Sequence, residues 1–265
     1  MFYRKKVSQL TYHANKTKQR LIIIFIVVIF LICMYMLEFN PIQFLIALPE
    51  FIYFLFFKFF PPSFNEITKY IPPILDTIYA AVISTFISTI LGLLLAFLLA
   101  KKTSPFPLVS LLLRSFLSLF RNIPLLIWAA ILTIVFGIGI TAGIIALIIF
   151  TTSFLARVLS EAIDDIGNEV FEAVAFTGAT KIQVIKHGVI PSFMPSFYSW
   201  TLFLLEINIK ASSILGLVGA GGLGYELKKS LDLFQYNNAS ALVLIMGIIM
   251  LTIEFVSNRI RSSLI

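Results

Sequence analysis

From Thr77 to Ala100 the chain carries no charged residue. As a helix, a run of that length crosses the roughly 30 Å hydrocarbon core of a bilayer, where every backbone N–H and C=O must be paired within the segment. Apolar runs with few charges recur at 21–37, 143–160, 193–215 and 238–257. Composition agrees: 59% of the 265 residues are hydrophobic and 12% are charged, about half the charged share of an ordinary soluble domain. A soluble fold of this composition would expose large apolar patches. Soluble, disordered, coiled-coil and disulfide-scaffold classes are therefore excluded. Cys33 is the single cysteine, so neither an internal disulfide nor a thiolate metal site can form. The net charge of +7 suggests nucleic acid at first sight. However, Arg4, Lys5, Lys6, Lys16, Lys18 and Arg20 all stand in the first twenty positions, which is a membrane-surface and topology signal.

The expected fold is all-α and polytopic, with about six transmembrane helices. Residues 21–37 form the first; the following Glu38-Phe39-Asn40-Pro41 offers no small-x-small cleavage site, so this is an uncleaved span and not a signal peptide. Residues 42–60 are broken by Pro49-Glu50, charged at Lys58 and crowded with phenylalanine. They read as an aromatic segment at the outer interface, with a second span as the alternative. Residues 77–100, 124–137, 143–160, 193–215 and 238–257 complete the six. Residues 106–120, with Arg114 near the middle, read as a surface-lying or re-entrant segment leading to Pro124, where proline suits a helix start. On this arrangement only Lys58, Lys69, Lys228 and Lys229 lie outside and Lys210 lies within a span, while the other fifteen of the twenty basic residues are cytoplasmic. The positive-inside bias places both termini in the cytoplasm.

Residues 161–191 are long and finely punctuated for a loop between membrane helices. Asn168 is placed to cap a short helix beginning at Glu169, and Gly178 to stop it in a left-handed conformation. Thr180 with Gln183 three residues on is a capping-box spacing, Ile182, Ile185 and Val189 share one face of the helix it opens, and Pro191 ends it. Two rigid capped helices meeting at a glycine corner make a poor flexible linker and a good docking surface.

The loop resembles the E-A-A-x-x-x-G…I-x-L-P signature of membrane subunits of bacterial ABC importers. Here it reads Glu172-Ala173-Val174, Gly178, then Gly188, Ile190 and Pro191, with the family's spacings kept. It departs at Val174, Gly188 and Ile190. Arg121-Asn122-Ile123-Pro124 is similar to the R-x-I-P that opens a core helix in these permeases. Glu206, Asn208, Lys210 and Ala211, followed by Leu215 to Gly224 with Gly216, Gly219, Gly221, Gly222 and Gly224, resemble the E-x-N-x-R-A…L-G-L-V-G-A-G-G-I-G block of phosphonate-type permeases, with Lys210 in place of arginine. The resemblance covers roughly 41–262. It implies a type I importer permease fold like that of methionine permeases. Residues 1–70 would hold the cytoplasmic N-terminus, first span and outer interfacial segment, and 71–262 the permease domain with a coupling loop at 161–191. It further implies a homodimer in the bacterial cytoplasmic membrane, partnered by two cytoplasmic ATPase subunits and an external substrate-binding protein, and importing a phosphonate or related oxyanion. Another small solute such as methionine is the alternative within the family.

The remaining residues supply no enzyme chemistry. No G-x-x-x-x-G-K-[ST] occurs, so ATP is used by the partner and no cofactor or metal is expected on this chain. His13 and His187 read as solvated, as do Asp164, Asp165 and Glu169. Glu206 and Lys210, spaced i, i+4, either neutralise each other or present a cation to an anionic substrate; Glu254 reads as a structural anchor near the cytoplasmic exit, beside Asn258 and Arg261. Trp128 and Trp200 suit either interface anchoring or packing. An ion-coupled secondary transporter would require an inverted repeat and more intramembrane acids than are present.

Overall fold

The computed structural model describes the backbone of residues 2–65 and 67–264 and the side chains of 18–65 and 67–263; the side chains of Arg4, Lys5, Lys6, His13 and Lys16 lie outside the described residues. Helices joined by short turns account for the described chain, with no strand among those residues, as expected where backbone polar groups must be satisfied inside each segment. Two compact units divide at Phe57 and Lys58.

In the first unit, α1 (Phe2–Met36) is one helix, and its Lys18–Met36 portion is long and apolar enough to cross a membrane. Asn40 then caps α2 (Pro41–Tyr53): its Oδ1 accepts from the backbone N–H of Ile42 at 3.0 Å and of Gln43 at 3.3 Å. The expected break at Pro49-Glu50 does not occur. The helix runs through Pro49 and continues as a widened π-helical segment, Phe54–Phe59, so that 41–59 is also long and apolar enough to cross. One proline removes one hydrogen bond, but in apolar surroundings the flanking backbone groups gain nothing by leaving the helix.

The second unit contains α3 (Ile67–Leu99), α4 (Pro107–Asn122), α5 (Leu125–Phe136), α6 (Ile140–Asp164), α7 (Asn168–Ala175), α8 (Lys181–Val184), α9 (Ile190–Leu215), α10 (Gly222–Asp232) and α11 (Tyr236–Leu264). Small residues spaced along one stripe of α3 (Ala81, Thr85, Ser88, Gly92 and Ala96, all buried) let α6 approach closely. A Cβ on Gly92 would stand only 2.7 Å from the Leu155 Cβ. Both helices finish at the same end of the unit, where the Lys102 N–H donates to Asp164 Oδ1 at 3.3 Å and its ammonium reaches the Ile166 carbonyl. Their beginnings share the opposite end: Leu223 N–H donates to Thr77 Oγ1 at 2.9 Å and Gly139 N–H to the Gly219 carbonyl at 2.9 Å.

Two parallel neighbours require the chain to return between them, and α4 with α5 carries it back from one end of the unit to the other. The two meet at 86°. Trp128 holds the bend, its indole N–H donating to the Phe120 carbonyl at 3.1 Å and its ring stacked on Phe120 with centroids 5.1 Å apart. The expected span at 124–137 is shorter than a full crossing: the 12 residues of α5 reach only about 18 Å, and α4 and α5 are long and apolar enough to cross only as a bent pair. The stretch after Leu215 holds a helix of its own, α10, which folds back against α3, α9 and α11.

Candidate functional site

The loop expected to carry function leaves the bundle firmly anchored. Ile163 and Ile166 are buried with Ala96, Ala100, Leu155, Leu159, Val189, Phe193 and Leu204, and Val170, Phe171 and Ile185 pack against that cluster. Lys102 lies over the Phe171 ring, 5.4 Å from its centroid. Asp164 belongs to this anchorage and not to a solvated acidic face: besides the Lys102 N–H, it has Arg114 Nη2 at 3.9 Å. Asn168 does not cap α7. It is the first helical residue, and Gly167 occupies the cap position without a side chain to accept from the first helical N–H groups, because the buried Ile166 turns the chain one residue earlier than local spacing implies.

Beyond the anchor the loop is exposed. Glu172 and Ala173 lie on the open side of α7. The helix closes through Phe176 N–H to the Glu172 carbonyl at 2.8 Å and Gly178 N–H to the Ala175 carbonyl at 2.9 Å. Gly178 has φ +80° with open space around it, the left-handed corner expected from sequence. Gln183 Oε1 accepts from the Thr180 N–H at 2.8 Å, closing the expected capping box. Phe176 and Ile182 are 87% and 78% exposed; Ile182 therefore is not on the packed face, and Val184 is buried in its place. The corner frames a groove of about 400 Å³ lined by Val174, Thr177, Gly178, Ala179, Gln183 and His187.

Pro191 does not end the second helix. α8 widens into a π-helical segment, Ile185–Val189, in which the Ile190 N–H reaches back five residues to the Ile185 carbonyl, and α9 follows directly with Pro191 in its first turn. A wide turn displaces the carbonyl that a proline ring would strike in regular α-geometry. Ile190 and Pro191 are exposed there, and the loop is continuous with the membrane helix behind it. Gly188 is buried against α7: a Cβ there would lie 3.3 Å from Val174 Cγ2 and 3.4 Å from Val170 Cγ1.

Deeper in α9, Lys210 Nζ stands 2.7 Å from Glu206 Oε1 and 3.2 Å from Glu254 Oε2, and Arg261 Nη2 is 3.9 Å from Glu206 Oε2. Glu254 is therefore joined to Lys210, which ties α11 to α9. Asn208 is fully buried. It donates to Thr85 Oγ1 at 2.8 Å and accepts from Thr151 Oγ1 at 2.8 Å, latching α3, α6 and α9. Sequence reading missed this latch; its signal was the polar positions of otherwise apolar spans. The glycine segment packs backbone on backbone: a Cβ on Gly216 would lie 2.4 Å from the Gly221 carbonyl oxygen, and one on Gly222 2.6 Å from Thr77 Oγ1. Gly219 and Gly221 adopt φ of +93° and +74° in the turn between them. Beside it opens a cleft of about 540 Å³ lined by Tyr225, Lys228, Lys229 and Asp232, among others.

Residues 88–264 match the family described as binding-protein-dependent transport system inner membrane component. The chain is similar to the phosphite transport system permease protein PtxC of Stutzerimonas stutzeri, with 32% identity over 201 residues, covering 76% of this chain and 73% of that one. It is also similar to the phosphate-import permease protein PhnE of Mycolicibacterium smegmatis, with 31% identity over 216 residues, covering 77% of this chain and 41% of that one. Among solved structures, the inward-facing MetNI methionine ABC transporter matches with a TM-score of 0.67 at 23% identity, over 77% of this chain and 99% of that chain. That likeness establishes the fold alone.

Proposed function

The chain belongs to the family of binding-protein-dependent transport system inner membrane components, and from that premise we propose that it carries a phosphonate, phosphite or phosphate ion across the cytoplasmic membrane as a permease dimer driven by separate ATPase subunits. It is a multi-pass permease subunit of an ABC importer, a transport family and not an enzyme family. The observation that carries the mechanism is the loop: exposed along Glu172, Ala173, Phe176 and Ile182, yet packed at its root into the α3–α6–α9 core and continuous with α9. A cytoplasmic ATPase seated against Glu172, Ala173 and Gly178 pushes on a lever with no slack, and Ile190-Pro191 pass the displacement into α9. ATP closure thereby switches the pathway, an external binding protein supplies the substrate, and ATP is consumed by the partner.

Within the pathway we assign Glu206 and Lys210 to the wall, with Asn208 supporting α9 from behind. The side chain of Lys210 is 37% exposed even with its two carboxylates, leaving an ammonium edge for an anion. The domain division at 1–70 and 71–262, the loop at the cytoplasmic face and both termini in the cytoplasm complete the reading. On that topology 41–59 starts and finishes outside, along the interface, in spite of its length. Single cysteines at 18, 69, 172 and 228 in a Cys33→Ser background test this: an impermeant maleimide should label 69 and 228 in intact cells, and labelling at 18 or 172 overturns it.

Proteoliposomes holding the permease, ATPase and binding protein test the substrate. ATP should drive accumulation of a phosphorus oxyanion; accumulation of methionine with no response to phosphite, phosphate or phosphonate would overturn the assignment. Lys210→Arg should keep uptake and Lys210→Gln lose most of it. Full rescue by the further change Glu254→Gln would make the cluster packing alone.

A further inference from the structure

At the loop end of the second unit, a cavity of about 130 Å³ lies between the end of α3, the second half of α4 and the second half of α6. Arg114, Arg121 and Arg157 line it together with a single carboxylate, Glu161. Their commitments differ. Arg114 Nη2 donates to the Leu99 carbonyl at 2.9 Å. Arg157 donates to Glu161 Oε1 through Nε at 2.7 Å, which leaves its terminal nitrogens uncommitted. Arg121 makes no hydrogen bond or ion pair among the described residues. The Ser118 hydroxyl accepts from Asn122 Nδ2 at 3.5 Å and donates to no group among the described residues. Asp164 Oδ2 stands 3.9 Å from Arg114 Nη2 and Glu161 pairs with Arg157, so Arg121 is the guanidinium left without a counter-charge, and an anion bound among the three relieves their mutual repulsion in a half-enclosed space. Guanidinium forks suit tetrahedral oxyanions in particular, because two parallel N–H groups meet two oxygens. The cavity exceeds several times the space of one water.

The opposite face of α4 exposes Leu108, Leu111, Leu112, Phe116 and Leu119, the pattern of a helix lying in an interface with its basic residues turned the other way. A cavity behind such a helix sits at the depth of lipid phosphates as well as in reach of solute.

We infer that the Arg114–Arg121–Arg157 cavity binds a phosphorus oxyanion, either free or as the headgroup of an anionic lipid, and that the bound anion ties α4 to α6 at the root of the loop. This site is separate from the Glu206–Lys210 wall and does not depend on which solute is transported.

The assembled transporter in phosphatidylcholine nanodiscs provides the test, with thermal melting as the readout. Inorganic phosphate is titrated against sodium chloride of equal ionic strength, and a second series replaces part of the lipid with phosphatidylglycerol. A saturable rise in melting temperature with phosphate in pure phosphatidylcholine identifies a free-anion site; a rise with phosphatidylglycerol alone identifies a lipid site. In either case Arg121→Gln should weaken the response by about tenfold or more, as loss of a charge-assisted bond implies, while Arg121→Lys retains part of it. Ser118→Ala, which removes only a hydroxyl, should weaken it less. The inference is overturned when neither ligand moves the melt, or when both arginine variants respond as the wild type does. Failure of the transport assignment leaves this readout unaffected.

Discussion

At Gly224 an added Cβ would lie 1.9 Å from the Ser213 carbonyl oxygen, whereas at Gly178 it would meet nothing within 4 Å. Both belong to the same unit: Gly224 stands in the first turn of α10, beside the corner from α9, and Gly178 at the corner between α7 and α8. The first corner is a crossing of two backbones, α9 against α10, and glycine is required there by space. The second is a free-standing turn on the loop, and glycine is required only by its left-handed φ of +80°. On the proposed coupling role, the Gly178 corner has to keep its shape without being embedded, so its constraint is conformational. A corner inside the bundle is held by its neighbours, so its constraint is steric.

The largest effect should therefore come from Gly224→Ala. The methyl group meets backbone that cannot rotate away, and α10 must leave α9 and the Thr77 hydroxyl that accepts the Leu223 N–H. Overpacking of a core costs about 1–3 kcal/mol when side chains can yield, and here they cannot. Loss of the monodisperse peak on size exclusion in mild detergent is expected; a normal peak and melting temperature would show that the crossing has slack.

Gly178→Val should leave that peak intact and still stop transport. A β-branched residue in left-handed backbone costs roughly 1–2 kcal/mol locally, enough to reshape an exposed turn but not to unfold a bundle. Substrate-stimulated ATP hydrolysis and uptake should fall together, with weakened ATPase co-purification. Glu172→Ala should act in the same direction but less, since alanine is the best helix former and only one exposed carboxylate is lost. Uptake of Gly178→Val equal to wild type would reduce the loop to an ordinary connection.

The difference between the corners was half legible in the sequence. Cap chemistry is local: Gly178 and the Thr180–Gln183 pair declare themselves within a few residues, and both stand as expected. Span positions were legible for the same reason, because a charge-free run such as Thr77–Ala100 has few places to go. What was hidden depends on residues far apart in the chain. Lys210 meets Glu254, and Asn208 meets Thr85 and Thr151, through the packing of four helices that no spacing rule encodes. The helical continuity across Pro49 and Pro191 was hidden too, because rules for proline come from helices that can surrender a hydrogen bond to water.

The smallest effect, and the most discriminating, concerns how the free corner is held at its base. The family pattern places alanine and isoleucine where this chain has Val174 and Gly188, and these two departures face each other across α7 and the π-helical segment. The added bulk of one fills the space vacated by the other. Gly188→Ile alone should crowd Val174 and Val170 and lower stability by about 1–3 kcal/mol, offset in part by removing a glycine from a helix, worth roughly 0.5–1 kcal/mol. Val174→Ala alone should open a small void in a half-buried contact and lower the melting temperature slightly. The double variant restores the family pairing and should melt at or above the wild type, so the two changes must be coupled by about 0.5–3 kcal/mol. Uptake should follow stability throughout, since neither residue is on the exposed docking side. Additive effects, with no recovery in the double variant, would show that α7 is not seated on Gly188, and that the loop owes its rigidity to the Phe171 and Ile166 anchorage alone.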